Sequence, residues 1–281
     1  MSKLITEENT FLLQINFHEK IRFSLSEASQ MLKFIDERES ENISNKLSEL
    51  KDPSSGSGFG PNKVSALVNW LKGFEFIELD KTKGYVLTKE GKCVLDNDSE
   101  FNNEVTHYLM HYKMCKNSIL WNYFITDFQS NYFSFSREDL AYSIKEAFNL
   151  KKVEDASKHI TPLFNFYLDD SFYCKLLNCM ENQYSFNEIE LPNINIFLFC
   201  LVDWWINSSF KDDFSILRSC LVEGNQSLQS ILGANQDYFY FNLSKLHQLG
   251  FIEEHISVQP YTIIRKWNDN LTTILEKAYD W

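Results

Sequence analysis

The sequence lacks the features by which several large classes of protein are identified. Its 281 residues contain no apolar run approaching the ~20 residues that a membrane-spanning helix needs, so no membrane partner is expected. No Walker loop, GxGxxG, GxSxG or HExxH motif is present, which argues against a nucleotide hydrolase, a dehydrogenase, a common serine hydrolase and a zincin. Residues 1–10 carry acidic side chains and no apolar signal core, so we expect a cytoplasmic protein.

Closely spaced cysteine pairs are also lacking. The six cysteines are scattered without a CxxC pair, and four lie in apolar stretches, so reduced buried thiols are expected. A chain with 44% hydrophobic and 15% aromatic residues is too apolar to be disordered. Its length suits about two domains, or three very small ones.

Positive charge is scarce. The chain has 27 Lys and Arg against 39 Asp and Glu, which gives a formal net charge of -12. Because neutralisation of phosphates supplies most non-specific affinity for nucleic acid, any DNA contact must be local and built from a few lysines. The acidity equally suits a protein that docks on a basic partner.

Residues 59–92 have the pattern of a helix followed by a β-hairpin. Pro61 suits the first turn of a helix, and apolar residues then recur at helical spacing up to Gly73, where a helix stop is expected. Two β-rich runs, 74–79 and 85–88, flank a polar turn. This order predicts the recognition helix and wing of a winged-helix domain, a fold that binds DNA in many proteins and other proteins in some.

Similar patterns recur further along the chain. We expect a strand or buried edge at 11–17 and a long aromatic helical spine at 102–128. Further helices are predicted at 24–38, from Ser136, at 155–168, at 194–206 and at 238–249, the last stopped by Gly250. Hairpins are predicted over 173–186 and over 251–258 with 261–265. The sequence therefore predicts an α+β, mainly α-helical protein, with multiple winged-helix-like units joined by the spine.

Three units follow from this pattern. They are a winged-helix domain with the spine at 1–130, a helix-helix-wing unit at 131–208 and a winged-helix-like unit at 209–281. The aromatic run 164–172 and Trp204-Trp205 have apolar neighbours, so packing in the core is favoured over stacking on bases.

An ordered set of residues runs through the N-terminal half of the chain. Its members are Phe17-His18-Glu19, Gly60 with Asn62 and Val64, Trp70-Leu71-Lys72 with Phe74, Thr88 with Gly91, and Leu109 with His111-Tyr112. Over roughly residues 15–170 this order and spacing resemble a bacterial family of unknown-function domains, encoded beside PAPS-reductase-like enzymes in DNA phosphorothioation and anti-phage islands. The nearest functional label is the DNA-nicking subunit of the Ssp type (SspB-like).

The resemblance implies a DNA-binding component of a phosphorothioation-linked modification or anti-phage defence system, with DNA nicking as an implied activity. Its partners would be DNA and the proteins of that gene cluster. Two alternatives stay open, namely a non-enzymatic winged-helix adaptor that binds the other modification proteins, and a transcriptional regulator. No cofactor is evident, and Mg²⁺ is expected only if the chain is a nuclease.

The first recognition helix departs from its relatives, which tend to carry arginines there. This chain has Ser65 and Val68 instead, and Pro61 stands where a lysine is usual. Base-specific contacts are therefore weakened, since arginine makes most bidentate contacts to guanine. The residues predicted to contact nucleic acid are Asn62, Lys63, Asn69 and Lys72 on this helix, Lys81 and Lys83 on the wing, and Lys151, Lys152, Lys158 and His159 around the second recognition helix.

Candidate catalytic residues are His18 and Glu19, which belong to the family-like set. Histidine is the usual general base near neutral pH. The alternative is a histidine that is hydrogen-bonded at the end of a strand, and it is favoured because no second acid or nucleophile lies nearby in sequence.

Two other sets of residues imitate metal or nuclease sites. Asp80, Glu90 and Lys92 follow the order of many metal-dependent nucleases, but a hairpin would separate Asp80 and Glu90 by on the order of 20 Å. His107, His111 and Cys115 share a helical face, but three ligands on one straight helix cannot reach a single ion. The sequence therefore predicts no metal site, and a buried hydrogen-bonding pair for His111 and Tyr112.

Overall fold

Helices make up most of the computed structural model, which describes residues 11–19 and 21–280. The basis of the cytoplasmic prediction, residues 1–10, lies outside them. The helices are α1 (Leu25–Ser40), α2 (Leu47–Leu50), α3 (Pro61–Gly73), α4 (Lys89–Asn97), α5 (Glu104–Asn117), α6 (Ile119–Tyr123), α7 (Gln129–Asn131), α8 (Arg137–Ala147), α9 (Val153–Leu168), α10 (Ile194–Asn207), α11 (Leu228–Leu232), α12 (Gln236–Gln248) and α13 (Leu271–Tyr279). The strands are β1 (Ile77–Asp80), β2 (Gly84–Leu87), β3 (Ser134–Phe135), β4 (Leu177–Met180), β5 (Gln183–Phe186), β6 (Ser215–Leu217), β7 (Ile252–His255) and β8 (Thr262–Arg265). The predicted α+β, mainly α-helical class is confirmed.

Local signals account for where several helices begin. The Ser24 hydroxyl accepts a hydrogen bond from the Glu27 amide and caps α1, as expected for a serine at this position. Ser136 and Asp139 form a reciprocal capping box at the start of α8. Just after the C-terminal end of α12, Gly250 adopts a left-handed φ of 80° and stops the helix as predicted.

The strands form three small antiparallel sheets, each within one stretch of the chain. In the second and third sheets the first strand pairs with the last, which gives the orders β3-β5-β4 and β6-β8-β7. In the first, β1 pairs with β2, and Asn45 adds a single bridge to Gly84. In each sheet two α-helices lie between the first strand, or the Asn45 bridge, and the hairpin. The order strand, two helices and hairpin therefore occurs three times in the chain.

The predicted continuous spine is broken at Ser118. Residues of the N-terminal segment insert there, since the Leu13 amide donates to the Asn117 carbonyl and the Leu13 carbonyl accepts from the Ile119 amide. The helix resumes as α6, passes through a π-helical turn at Phe124–Phe128 and ends in α7. Of the two alternatives predicted for 11–17, no strand forms, because residues 15–19 turn back and only Leu13 makes a bridge. The segment is instead a partly buried edge, in which Leu13 and Phe17 are buried.

One apolar core runs through all three stretches. Its centre is aromatic, and the rings of Trp70 on α3 and Phe166 on α9 stack with centroids 5.8 Å apart. Trp204 and Trp205 are buried on α10, so the prediction of core packing for the aromatic runs is confirmed. The last helix, α13, packs on both α4 and α10 and so ties the end of the chain to its first half. No helix within the described residues is long and apolar enough to cross a membrane.

Candidate nucleic-acid interface

The turn of the first hairpin presents two lysines to solvent. Lys81 and Lys83 are both exposed, and Asp80 holds the turn by accepting hydrogen bonds from the Thr82 and Lys83 amides at 2.7 and 2.8 Å. Hydrogen bonds from the Thr82 hydroxyl and from the Lys83 and Thr82 amides lower the pKa of Asp80 to about 2. The turn is therefore pre-formed, with its lysines free to meet an anion.

Glycine is required at the base of this turn. Gly84 has a φ of 88°, and a Cβ there would lie 2.3 Å from the backbone carbon of Asn45. A side chain is excluded by both the left-handed backbone and this close approach. The bridge between Gly84 and Asn45 thus anchors the hairpin to the segment after α1.

The first predicted recognition helix, α3, is buried on most of its surface. Five consecutive residues, 64–68, are buried because α3 packs between α1, β1 and α5. Lys63 pairs with Glu27 at 2.5 Å, and the Asn69 amide donates to the Phe17 carbonyl at 2.9 Å. Both side chains predicted to contact DNA are therefore used in internal contacts.

Two further predicted contacts of α3 have different surroundings. Asn62 is exposed in the first turn, whereas Lys72 is half-buried in the last. A helix enclosed in this way cannot lie along a major groove, because at least one face must be open to the bases. Only the first turn of α3 is open enough to reach a ligand.

The second predicted recognition helix, α9, has an open basic end. Lys151, Lys152 and Lys158 are exposed around its first turns, and Lys152 caps the helix without a side-chain hydrogen bond. Lys158 pairs with Asp155 at 2.6 Å, but both side chains are well exposed, so the pair contributes little. Lysines beside a helix N-terminus favour phosphate oxygens through charge and dipole together.

An arginine that sequence reasoning missed extends this surface. Arg137, the first residue of α8, donates a hydrogen bond to the Thr161 hydroxyl of α9 at 2.8 Å. Its guanidinium also lies 5.1 Å from the centre of the Phe164 ring. The sequence signal for Arg137 was the N-cap at Ser136, because the capping box places Arg137 in the first turn of α8.

His18, a predicted catalytic residue, contacts His159, a residue predicted to contact nucleic acid. Nε2 of His18 lies 3.0 Å from Nδ1 of His159, so one ring donates to the other. Burial, followed by the nearby His159, lowers the pKa of His18 to about 4. His159 is half-buried and contacts the buried His18 ring, while Glu19 is exposed with a left-handed φ of 48°.

The histidines of α5 are hydrogen-bonded through both ring nitrogens. His107 meets the Phe101 carbonyl and the Tyr173 amide, and His111 meets the Tyr167 hydroxyl and the Leu232 carbonyl. Their lone pairs are therefore occupied. The buried hydrogen-bonding role of His111 is confirmed, but its partner is Tyr167 and not the neighbouring Tyr112.

The nuclease-like set Asp80, Glu90 and Lys92 does not converge. Asp80 lies at the tip of the hairpin, and Glu90 lies in the first turn of α4 beyond the far end of β2. Lys92 instead pairs with Asp36 and Asp96 at 3.3 and 3.4 Å. This arrangement agrees with the hairpin argument made from the sequence.

A buried ionic cluster, which the sequence did not reveal, joins the first and last thirds of the chain. Lys113 and Lys116 of α5 both contact Glu75 and Asp203, and the distances to Asp203 are 2.9 and 2.8 Å. Burial alone would raise the pKa of Asp203, but the two ammonium groups hold it well below its usual range. The sequence signal was the presence of two lysines three residues apart in a helix predicted to be largely buried.

Residues 30–171, half of the chain, match the family described as "Protein of unknown function (DUF4007)". The chain belongs to this family. Two solved structures share its fold over 97% of this chain and 88% of each neighbour. "Magnesium ion-bound SspB crystal structure" has a TM-score of 0.75 at 15% identity, and "SspB crystal structure" has 0.74 at 16%. The resemblance predicted from the ordered residues is thereby confirmed, and no curated protein matches the chain.

One of these two neighbours is a magnesium-bound structure. Within 11–19 and 21–280, no three His, Cys, Asp or Glu side chains come together to hold a metal ion. Glu75 and Asp203, which lie close together, already share Lys113 and Lys116. The described residues therefore offer no set of ligands that fits Mg²⁺.

Proposed function

We propose that this chain is a DNA-binding component of a phosphorothioation-linked modification or anti-phage defence system. The observation that carries the proposal is the exposed basic end of α9, where Lys151, Lys152 and Lys158 surround the start of a helix. The likeness to SspB structures supports the link to such a system, because the ordered N-terminal residues resemble the same group of proteins.

The threefold connectivity of strand, two helices and hairpin supports a winged-helix assignment for each stretch. In that arrangement the second helix and the hairpin face the nucleic acid. We assign the main contact to α9, since α3 is enclosed, and a supporting contact to Lys81 and Lys83 at the first hairpin. Both contacts suit phosphates, which position a protein on DNA without specifying sequence.

Binding to a labelled DNA duplex across a salt series tests the proposal. The triple variant Lys151→Ala, Lys152→Ala, Lys158→Ala should bind more weakly, and the slope of log K against log salt should flatten by about 0.9 for each phosphate that the variant no longer neutralises. Alanine at both Lys81 and Lys83 should flatten the slope by a smaller amount.

A matched control removes the same charge from the last third of the chain. Lys211, Lys266 and Lys277 are all exposed there, and their triple alanine variant should keep the wild-type slope. If the two triple variants weaken binding equally, the effect is due to net charge and not to the position of the lysines on α9. Absence of wild-type binding at low salt would overturn the proposal and favour the adaptor or the regulator.

Nicking is the finer part of the proposal and rests on the resemblance alone. Supercoiled plasmid incubated with the full chain, with and without Mg²⁺, tests it directly. Because His18 is buried against His159, we assign it a positioning role within the fold. Glu19→Gln, at an exposed side chain, should leave any nicking rate within about twofold, whereas a loss of several hundredfold would give Glu19 a catalytic role.

The adaptor is favoured as the second candidate by one specific observation. The helix that corresponds to α9 in the last third of the chain is α12, and its Phe241 side chain is 66% exposed. An aromatic side chain at such a position suits contact with protein better than contact with phosphates. The two functions are compatible if different thirds of the chain carry them.

A further inference from the structure

A cleft of about 430 Å³ lies between the segment after β6 and the loop that joins β7 to β8. Most of its lining is apolar. The principal lining residues are Leu217, Arg218, Val222, Tyr240, Pro260 and Tyr261. The main-chain amide of Arg218 donates to the Tyr261 carbonyl at 2.9 Å, so the two walls of the cleft are fixed to each other.

Arg218 is the one lining residue with a positive charge, and it has no anionic partner. Its guanidinium lies 3.5 Å from the centre of the Tyr240 ring, and its buried Nε has no hydrogen-bond partner. Among the described residues no carboxylate lies within 4.0 Å of its nitrogen atoms. A buried donor without an acceptor is destabilising, so binding of an acceptor at this position would be favoured.

Large apolar side chains are exposed at positions next in sequence to two lining residues, Tyr240 and Gln259. Phe241 on α12 is 66% exposed, and Val258 in the β7–β8 loop is 76% exposed. The loop sequence, Ile256 to Tyr261, contains no lysine or arginine, in contrast to the first hairpin turn with Lys81 and Lys83. A surface of this composition is typical of protein contact.

We propose that this cleft docks a segment of a partner protein in which an Asp or Glu is flanked by bulky apolar residues. The carboxylate would accept hydrogen bonds from Arg218, and the apolar residues would cover Val258 and Phe241. DNA fits this surface poorly, because a row of phosphates needs several positive charges, whereas Arg218 is the one cationic residue of the lining, and because phosphates would leave the apolar side chains in water. The Arg218 guanidinium, which lies over the Tyr240 ring, instead complements a single carboxylate.

A random library of 12-residue peptides displayed on phage provides the probe. Panning against the immobilised full chain should enrich peptides with an Asp or Glu close to Leu, Ile, Phe or Trp. Synthetic copies of these peptides should bind the wild type at least about tenfold more tightly than the Arg218→Gln variant, as expected when a charge-assisted hydrogen bond is removed.

A second variant guards against loss of folding, since Arg218 also packs on Tyr240. Val258→Asp places a negative charge on an exposed loop and should weaken the same peptides without altering the melting temperature. Arg38→Gln is the matched control, because it removes another arginine that lies over an aromatic ring, that of Phe34, and it should leave peptide binding unchanged.

Three results would overturn the proposal. The first is that panning enriches no peptides that combine an acidic residue with apolar ones. Another is peptide binding that is unaffected by both Arg218→Gln and Val258→Asp. The third is self-association of the wild type in sedimentation that Val258→Asp abolishes, which would assign the surface to a second copy of this chain.

Discussion

His18 and His159 are 141 residues apart in sequence, yet Nε2 of the first lies 3.0 Å from Nδ1 of the second. The contact joins the N-terminal segment to the inner face of α9, and the His18 ring is fully buried. A residue predicted from the sequence as a general base therefore fixes the helix that carries the exposed lysines. Its ionisation should be visible as a change in stability.

Stability should fall as the solution is acidified through the range in which His18 titrates. Its folded pKa of about 4 lies below the unfolded value of 6.5, so the unfolded chain binds more protons between these two values. The stabilisation is complete above about pH 6.5 and decreases as the pH falls towards 4, by ~3 kcal/mol for a difference of this size. Urea unfolding at a series of pH values measures it.

Variants separate the contribution of His18 from that of His111, whose pKa is also lowered to about 4 by burial. His18→Gln keeps a polar nitrogen near the Nε2 position but does not titrate, so its stability should fall less steeply over this range. His255→Gln, at an exposed side chain, should follow the wild type. An unchanged pH profile in His18→Gln would contradict the assignment.

The ionic cluster should be among the most sensitive positions of the fold. Lys113→Met leaves the Glu75 and Asp203 carboxylates with Lys116 alone, and removal of one partner from a buried pair costs about 3–5 kcal/mol. Lys92→Met provides the comparison, since Lys92 forms exposed pairs and should cost less than ~1 kcal/mol.

Chemical denaturation of the two methionine variants measures the difference. Adding Asp203→Asn to Lys113→Met should recover part of the stability, because one of the uncompensated charges is removed. Equal stability of the two single variants would show that the cluster is not a determinant of the fold.

Gly91 should tolerate no side chain. A Cβ there would lie 1.9 Å from the carbonyl oxygen of Phe76, which is backbone and cannot move aside. Gly91→Ala should therefore lower the unfolding free energy by ~3 kcal/mol or more. Gly60→Ala is the control, because nothing lies within 4 Å of a Cβ at that position, and it should cost no more than ~1 kcal/mol. Similar melting temperatures for both variants would contradict the close approach.

Much of the local structure followed from the sequence, because its signals are local. Capping by Ser24 and Ser136 and the stop at Gly250 involve residues within one turn of each helix end. The first hairpin was likewise predicted from its alternation and turn, although the left-handed residue before it is Glu75 and not Gly73. Gly73 lies in close packing instead, since a Cβ there would lie 2.5 Å from Leu13 Cδ1 and would require that side chain to move.

Features that depend on distant residues were not predicted. The break in the spine arises because Leu13 bonds to the backbone on both sides of Ser118, and nothing in the spine itself signals it. The burial of α3 follows from packing on four other elements, α1, α2, α5 and β1. In the sequence Lys63 and Asn69 look like surface residues, although both make internal contacts. Helical periodicity alone cannot distinguish an enclosed helix from one with an open polar face.

The division into three units at 130 and 208 remains a prediction. Near the second boundary, α10 packs on α12 and α13, which lie in the last predicted unit, and the apolar core is continuous throughout. Sequence patterns located the repeated connectivity, but they did not indicate which helices share a core.

Photochemical cross-linking to duplex DNA at low salt tests the central claim, that α9 carries the DNA contact, most directly. A photoreactive phenylalanine analogue would replace Ser157, which is exposed on α9, and in a separate protein Phe241, which is exposed on α12. We expect a DNA adduct from position 157 and none from position 241. No adduct from position 157, or an adduct from position 241 alone, would contradict it.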